Sequence, residues 1–326
     1  MDLKNPYFIV IKQVNHRKKE RNAMAAINRF GNMMPSPEEW KHPYLLDRTP
    51  FQIAGNLFYV GNQWCCSHLI DTGEGLILLD VPCTSGLPGL LYNIDYLGFR
   101  LRDIRYIIVS HAHTDHFGCV NALVHRTHAK TFLGAVDAED MRLNPDRIEA
   151  MNQDLGAYNE SFVPDVELKD GDIVELGNTR IRCVLTPGHT IGVMSHFWDM
   201  EYKGKTIHVG IYGGAGFVSL SEETLKRNHL PLSMQKTFVD SIDKVWDEKV
   251  DLMLGNHPFH NDVYQKYIRR CRGEEEPFID PTEWHRYLQE LKDRFAAFLK
   301  LTPEEVRKMY EHSQLADYYK GCFEEC

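Results

Sequence analysis

The chain has 326 residues, 43% of them hydrophobic, and a formal net charge of −9. That is enough chain for a large core, and long for one ordinary domain, so two packed halves around one site fit it. Nothing in the acidic balance points to nucleic acid or a membrane surface as a partner, and no apolar run reaches transmembrane length.

Near the amino terminus, the apolar run at 6–11 precedes the basic run at 16–21. A secretory signal has the opposite order, so the reading is a cytoplasmic protein. The eight cysteines (Cys65, Cys66, Cys83, Cys119, Cys183, Cys271, Cys322 and Cys326) show no CxxC spacing and fit a reduced compartment. Residues 1–50 do not read as core sheet. An alanine-rich stretch at 20–30 has helical character, and Gly-Asn-Met-Met-Pro-Ser-Pro at 31–37 breaks it. The Arg17-Lys18-Lys19 cluster reads as a solvated helix face. Met33, Met34 and Trp40 serve either as a lid over a cleft or as ordinary core.

Strands then follow closely. Runs at 51–53 and 57–60 flank a turn at Ala54-Gly55-Asn56, and runs at 67–71 and 76–80 flank Thr72-Gly73-Glu74-Gly75. Residues 87–97 have helical spacing. An apolar, β-branched strand at 104–110 leads into Ser-His-Ala-His-Thr-Asp-His-Phe-Gly at 110–118, and helical spacing resumes after it. The carboxyl end of a buried strand is where open α/β sheets place ligands. His111, His113, Asp115 and His116 offer borderline nitrogen and oxygen donors suited to zinc. One ion rarely takes four ligands from six consecutive residues; two ions sharing the loop is the easier geometry.

A strand at 130–133, a helix at 135–142 and a polar loop at 144–164 come next, with Tyr158 and Phe162 as candidate pocket residues. The hairpin 173–176/179–186 ends in Thr186-Pro187-Gly188-His189, a sharp turn that leaves a histidine at a strand end. After the hairpin 193–200/205–211 comes Gly-Ile-Tyr-Gly-Gly-Ala-Gly at 210–216, where the chain lets a substrate approach its backbone. Tyr212, Gly214, Ser219, Ser221 and, further on, His260 are the candidate substrate contacts. A helix at 232–246 precedes another apolar run that ends in His257. Three strand ends thus bring histidine to one sheet edge. His68, His196 and His208 read as satisfied core or surface residues. The order of strands and helices, given twice, specifies a mixed α/β, α+β chain folded as a four-layer αββα sandwich.

Beyond a linker at 273–277, Asp280-Pro-Thr-Glu283 has a helix-start pattern, with Asp at the cap and Pro at the first position. Trp284, Tyr287, Leu288, Leu291, Phe295, Phe298 and Leu299 follow at helical spacing, and Thr302-Pro-Glu-Glu305 repeats the cap. This apolar face either covers the sandwich or forms a homo-oligomer contact. The chain divides into an N-terminal extension at 1–50, a main domain at 51–272 and a C-terminal helical extension at 280–326.

The HxHxDH motif with its later single histidines resembles the metallo-β-lactamase fold superfamily over roughly 50–270. The segments at 50–61, 97–107 and 187–190 resemble most the β-lactamase subclass with a three-histidine first zinc site and an Asp-His-His second site. That resemblance implies the metallo-β-lactamase fold and two zinc ions, with His111, His113 and His189 at the first and Asp115, His116 and His257 at the second. Asp115 would also be catalytic, orienting a zinc-bound hydroxide that attacks a carbonyl. Two departures stand out. Val81-Pro82-Cys83 follows Asp80 where the family often has glycine, and Gly213-Gly214 occupy the region where this subclass typically carries a serine. The resemblance implies a di-zinc hydrolase with a small-molecule substrate, a β-lactam, and a role in antibiotic resistance. The alternatives are a hydrolase of another cyclic or acyl substrate such as a lactone, and a non-hydrolytic metal-binding scaffold.

Overall fold

Twelve strands form among the described residues: β1 Phe51–Ala54, β2 Leu57–Tyr59, β3 His68–Asp71, β4 Leu76–Leu79, β5 Ile104–Ile108, β6 Lys130–Gly134, β7 Val166–Leu168, β8 Ile173–Leu176, β9 Thr179–Leu185, β10 Met194–Tyr202, β11 Lys205–Ile211 and β12 Leu252–Leu254. The structure is a computed structural model that describes Phe30 and residues 33–146, 158–311 and 315–319. The helix read at 20–30, apart from Phe30, and the basic cluster at 17–19 lie outside the described residues.

One sheet has the order β1-β2-β3-β4-β5-β6-β7 and the other β12-β11-β10-β9-β8. The first begins as an antiparallel meander and turns parallel from β4 onward. Parallel neighbours need crossovers. The helices Leu87–Tyr96 and Val120–Thr127 supply two of them, and Met234–Lys244 joins β11 to its parallel neighbour β12.

Strand alternation sorts the core into layers. Ile77, Leu79 and Ile108 of the first sheet meet Ile181, Trp198, Val209 and Leu252 of the second in a shared interior. The intervening residues Leu78 and Ile107 face the opposite way, against Leu90, Ile94 and Leu123 of the helices. On the far side, Val184, Phe197 and Met253 pack under Phe238, Ile242, Trp284 and Leu288. The result is helix, sheet, sheet, helix, as the doubled element order requires.

The C-terminal helix Glu283–Phe298 buries Trp284, Tyr287, Leu288, Leu291, Phe295 and Phe298. Its apolar face is therefore used within the chain. Leu299, read as part of that face, is 45% exposed, because it follows the last helical residue. The helix also starts later than its sequence suggests. Asp280 accepts from the Thr282 amide at 2.9 Å, a turn ahead of the helix, and Thr282 takes the cap position. The second box forms as read: the Thr302 amide donates to Glu305 at 2.7 Å, and the Glu305 amide donates to Thr302 Oγ1.

Lys266 and Glu283, 4% and 7% exposed, form an ion pair 2.5 Å long between the helix Val263–Cys271 and the start of this C-terminal helix. Removing one partner strands the other charge away from water. Lys266→Met is expected to destabilise the protein by about 3–5 kcal/mol, read as a lowered urea midpoint. The double change Lys266→Met with Glu283→Gln should recover most of the loss.

Candidate metal centre

Three strand ends and one β-hairpin connection build the site. Leaving β5, the chain is caught by two buried carboxylates. Asp80, just past β4, accepts from the Ser110 amide at 2.7 Å and from Ser110 Oγ at 2.8 Å. Asn256 Nδ2 reaches the same carboxylate at 3.3 Å, so Asp80 joins the loop of His111 to the loop of His257. Asp137 accepts from the Ala112 amide at 2.8 Å, from Thr190 Oγ1 at 2.7 Å and from the Gly192 amide at 2.7 Å. It thereby ties the HxH turn to the turn that carries His189. Neither acid was recognised from sequence as part of the site. Their signal was an acid closing an apolar strand or opening a helix at a buried position.

The expected histidines converge. The ring of His189 lies 4.6 Å from that of His111 and 4.5 Å from that of His113, and one donor atom of each falls within 4.8 Å of the others. Asp115 Oδ2 lies 3.4 Å from His116 Nε2 and 3.5 Å from His257 Nε2. A seventh side chain joins them. Cys65 Sγ stands 3.8 Å from Asp115 Oδ2, and Cys65, Asp115 and His257 form a second set of donors within 4.8 Å. Sequence spacing could not show this, because Cys65 comes from the distant β2–β3 connection.

The outward nitrogens are held by the protein. His111 Nδ1 meets the Gly213 carbonyl at 2.9 Å, His189 Nδ1 meets the Gly216 carbonyl, and His257 Nδ1 meets the Trp64 carbonyl at 2.5 Å. A carbonyl only accepts, so each of these rings carries its proton on Nδ1 and turns an unprotonated Nε2 inward; that of His189 accepts from His113 Nδ1 at 2.9 Å. His116 Nδ1 lies 3.1 Å from Asp80. Among the described residues, the buried Nε2 of His111 has no hydrogen-bond partner, and the buried Nε2 of His116 makes no hydrogen bond but faces Asp115 Oδ2 at 3.4 Å. Orphaned imidazole nitrogens beside an ionised carboxylate are the donor set zinc requires, so the residues fit it.

The glycine run works differently from its sequence reading. A Cβ at Gly214 would come within 2.8 Å of His189 Cδ2, and one at Gly216 within 2.8 Å of His189 Cε1. The run lets backbone carbonyls press against two imidazoles. Among the other candidate contacts, Tyr212 is buried in the core and Ser219 Oγ donates to the His189 carbonyl at 3.1 Å. Ser221 caps the helix Glu222–Arg227. His260 is buried, its ring 5.1 Å from that of His257 and stacked on Phe30. Tyr158 is exposed, whereas Phe162 packs against Phe117 in the core rather than bordering a pocket. His208 pairs with Asp199 at 2.6 Å. His196 is not the satisfied residue its strand pattern suggests: it is buried with neither nitrogen partnered among the described residues, and burial lowers it to about 4.

Burial dominates the protonation of the site. It lowers His113 and His257 to about 4 and takes His111 and His189 lower still. Burial also disfavours a charged His116, but Asp115 and Asp80 outweigh it and raise that ring to about 10. Asp115 resists the upward push of burial because His116 and His257 hold it well below the usual carboxylate range. Asp137, mainly through burial, rises to about 6.

Residues 65–201 match the family model of the metallo-beta-lactamase superfamily. Among solved structures, the chain is similar to the native FEZ-1 metallo-beta-lactamase of Legionella gormanii at 29% identity and a TM-score of 0.71, covering 82% of this chain and 98% of that one. A metallo-beta-lactamase variant from Cronobacter sakazakii is 30% identical with a TM-score of 0.67, covering 77% of this chain and 97% of that one. A hydroxyacylglutathione hydrolase from Francisella tularensis subsp. novicida is 24% identical over 64% of this chain and 78% of its own length. The chain spans 40% of the length of the first curated relatives it matches.

Asp80→Ala is expected to weaken zinc binding by about 10–100-fold, because His116 loses its orienting acceptor; competition titration with a chromophoric chelator reads this. Chelator-treated protein should be most stable near pH 6.5. The lowered histidines, two of them near 4, contribute stability that is complete above 6.5 and lost as pH falls toward 4. His116, raised to about 10, contributes stability that is complete below 6.5 and lost as pH rises toward 10. Thermal melts between pH 4.5 and 9.5 check both limbs, and added zinc should remove the alkaline one.

Proposed function

This chain belongs to the metallo-beta-lactamase superfamily, and from that premise we propose that it is a zinc-dependent hydrolase that holds two ions and opens β-lactams. One observation carries the proposal: donor groups from separated segments meet in two adjoining sets, with orphaned nitrogens facing inward. His111, His113 and His189 would hold the first ion, and Asp115, His116 and His257 the second. Zinc bound there supplies Lewis acidity and makes water a nucleophile near neutral pH, with its pKa lowered to about 7.

The rest of the chemistry falls to the chain's own side chains. Asp115 Oδ2 accepts a hydrogen bond from the attacking water and sets its direction. Because the surrounding imidazoles keep Asp115 ionised, it positions the water and does not carry the proton away. Asp80 and Asp137 fix the loops, so the ligands need little reorganisation when substrate arrives. No carboxylate stands between Lys205 and Ser221 to join the two positions.

The similarity to a hydroxyacylglutathione hydrolase supports a second reading, hydrolysis of another acyl substrate, a thioester or a lactone, by the same residues. A substrate panel decides between them. Zinc-loaded protein is expected to bind about two ions per chain and to turn over nitrocefin. Asp115→Asn should lower kcat by about 10²-fold through lost positioning of the water, and His111→Ala should abolish turnover. Thioester or lactone hydrolysis without nitrocefin turnover would establish the second reading. A protein that binds zinc and hydrolyses none of the three would be a scaffold.

A further inference from the structure

We propose that Cys65 is a ligand of the second metal position, so that a sulfur donor joins Asp115, His116 and His257 there. The proposal rests on the metal-centre reading above and extends it to a residue outside the HxHxDH pattern. Cys65 is wholly buried, and its Sγ lies 3.8 Å from the Asp115 carboxylate oxygen that His116 Nε2 and His257 Nε2 also face. Independently of the cysteine, His116 Nε2 is buried, makes no hydrogen bond among the described residues and faces the same carboxylate oxygen at 3.4 Å. The thiol and this nitrogen, from separate segments of the chain, thus both face Asp115 Oδ2, and Cys65, Asp115 and His257 bring their donor atoms within 4.8 Å of one another.

The loop that presents Cys65 is built to a fixed shape. Asn62 Oδ1 accepts from the Trp64 amide at 2.9 Å and from the Cys65 amide at 2.8 Å, while the Asn62 amide donates to the Cys65 carbonyl at 3.0 Å. A Cβ at Gly61 would come within 2.5 Å of both the Cys65 carbonyl oxygen and the Ser67 amide nitrogen, so the turn closes only with glycine there. The next amide, of Cys66, donates to the Asn256 carbonyl at 2.8 Å, which fastens the loop directly to the strand end carrying His257. Trp64, one residue before Cys65, holds His257 through its carbonyl. One short segment thus orients one ligand of the second position and supplies another.

The chemistry distinguishes the two positions. The first offers neutral imidazoles only. The second offers a carboxylate and, once the thiol has passed its proton to solvent as the sulfur–metal bond forms, a thiolate. Such a position favours softer divalent ions, zinc or cobalt over magnesium or calcium.

Cobalt(II) substitution tests this in the full-length chain. Wild-type protein loaded with two cobalt ions should show near-ultraviolet thiolate-to-cobalt charge-transfer absorption that appears with one of the two ions. Cys65→Ser should lose that band and bind this ion at least about tenfold more weakly, while the other ion binds unchanged. Cys65→Ala serves if the serine variant folds poorly, and the wild-type spectrum needs no variant at all. Two bound cobalt ions without a thiolate band, or a band that persists in Cys65→Ser, would overturn the proposal and leave the metal centre intact. A wild-type chain that takes up no cobalt or zinc would remove the metal-centre reading itself.

Discussion

The site depends on hydrogen bonds made by nitrogens that point away from it. An imidazole buried among other imidazoles cannot afford a charge, so it must stay neutral and keep its single proton on one side. Backbone carbonyls of Gly213, Gly216 and Trp64 draw that proton outward from His111, His189 and His257. Asp80 and Asp115 treat His116 differently: with carboxylates near both nitrogens, this ring is the one charged histidine of the group until an ion displaces its inner proton.

Those acceptors sit where the sheets put them. Two strand ends of one sheet and one of the other stop at the same edge of the sandwich, and the carboxylates of Asp80 and Asp137 bind the emerging loops to one another. The layered core therefore does more than stabilise the chain. It sets the separation of three histidine-bearing turns that share no local sequence.

Much of this was legible in the sequence, because strong local signals agreed. A β-branched strand followed by HxHxDH, a Pro-Gly turn before His189 and an apolar run ending in His257 each identify a side chain at a strand end. What stayed hidden had no residue-type signature. Carbonyl acceptors are the same for every amino acid, so the work of Gly213, Gly216 and Trp64 could not be read in advance. The glycine run, read as a place where a substrate nears the backbone, also makes room for His189, which its sequence does not announce. Cys65 looked like a small hydrophobe among others, since only the pairing of β2 with β3 and the tie from Cys66 to Asn256 bring it to the centre. Leu299 and the start of the C-terminal helix were misplaced by a residue or two, where a turn made by Asp280 competed with helix initiation.

Trp64 carries one more consequence. Its indole Nε1 donates to the Met33 carbonyl at 2.9 Å, its ring meets Trp40 edge-on at 5.0 Å, and its own carbonyl holds His257. A shortened chain beginning at residue 51 would keep every strand of the sandwich and all the clustered donor side chains, yet would bare this indole and slacken the backbone behind an imidazole. Trimming at the apparent edge of the sandwich is thus a way to disturb the orientation of His257 from a distance, and the emission of one tryptophan would register it.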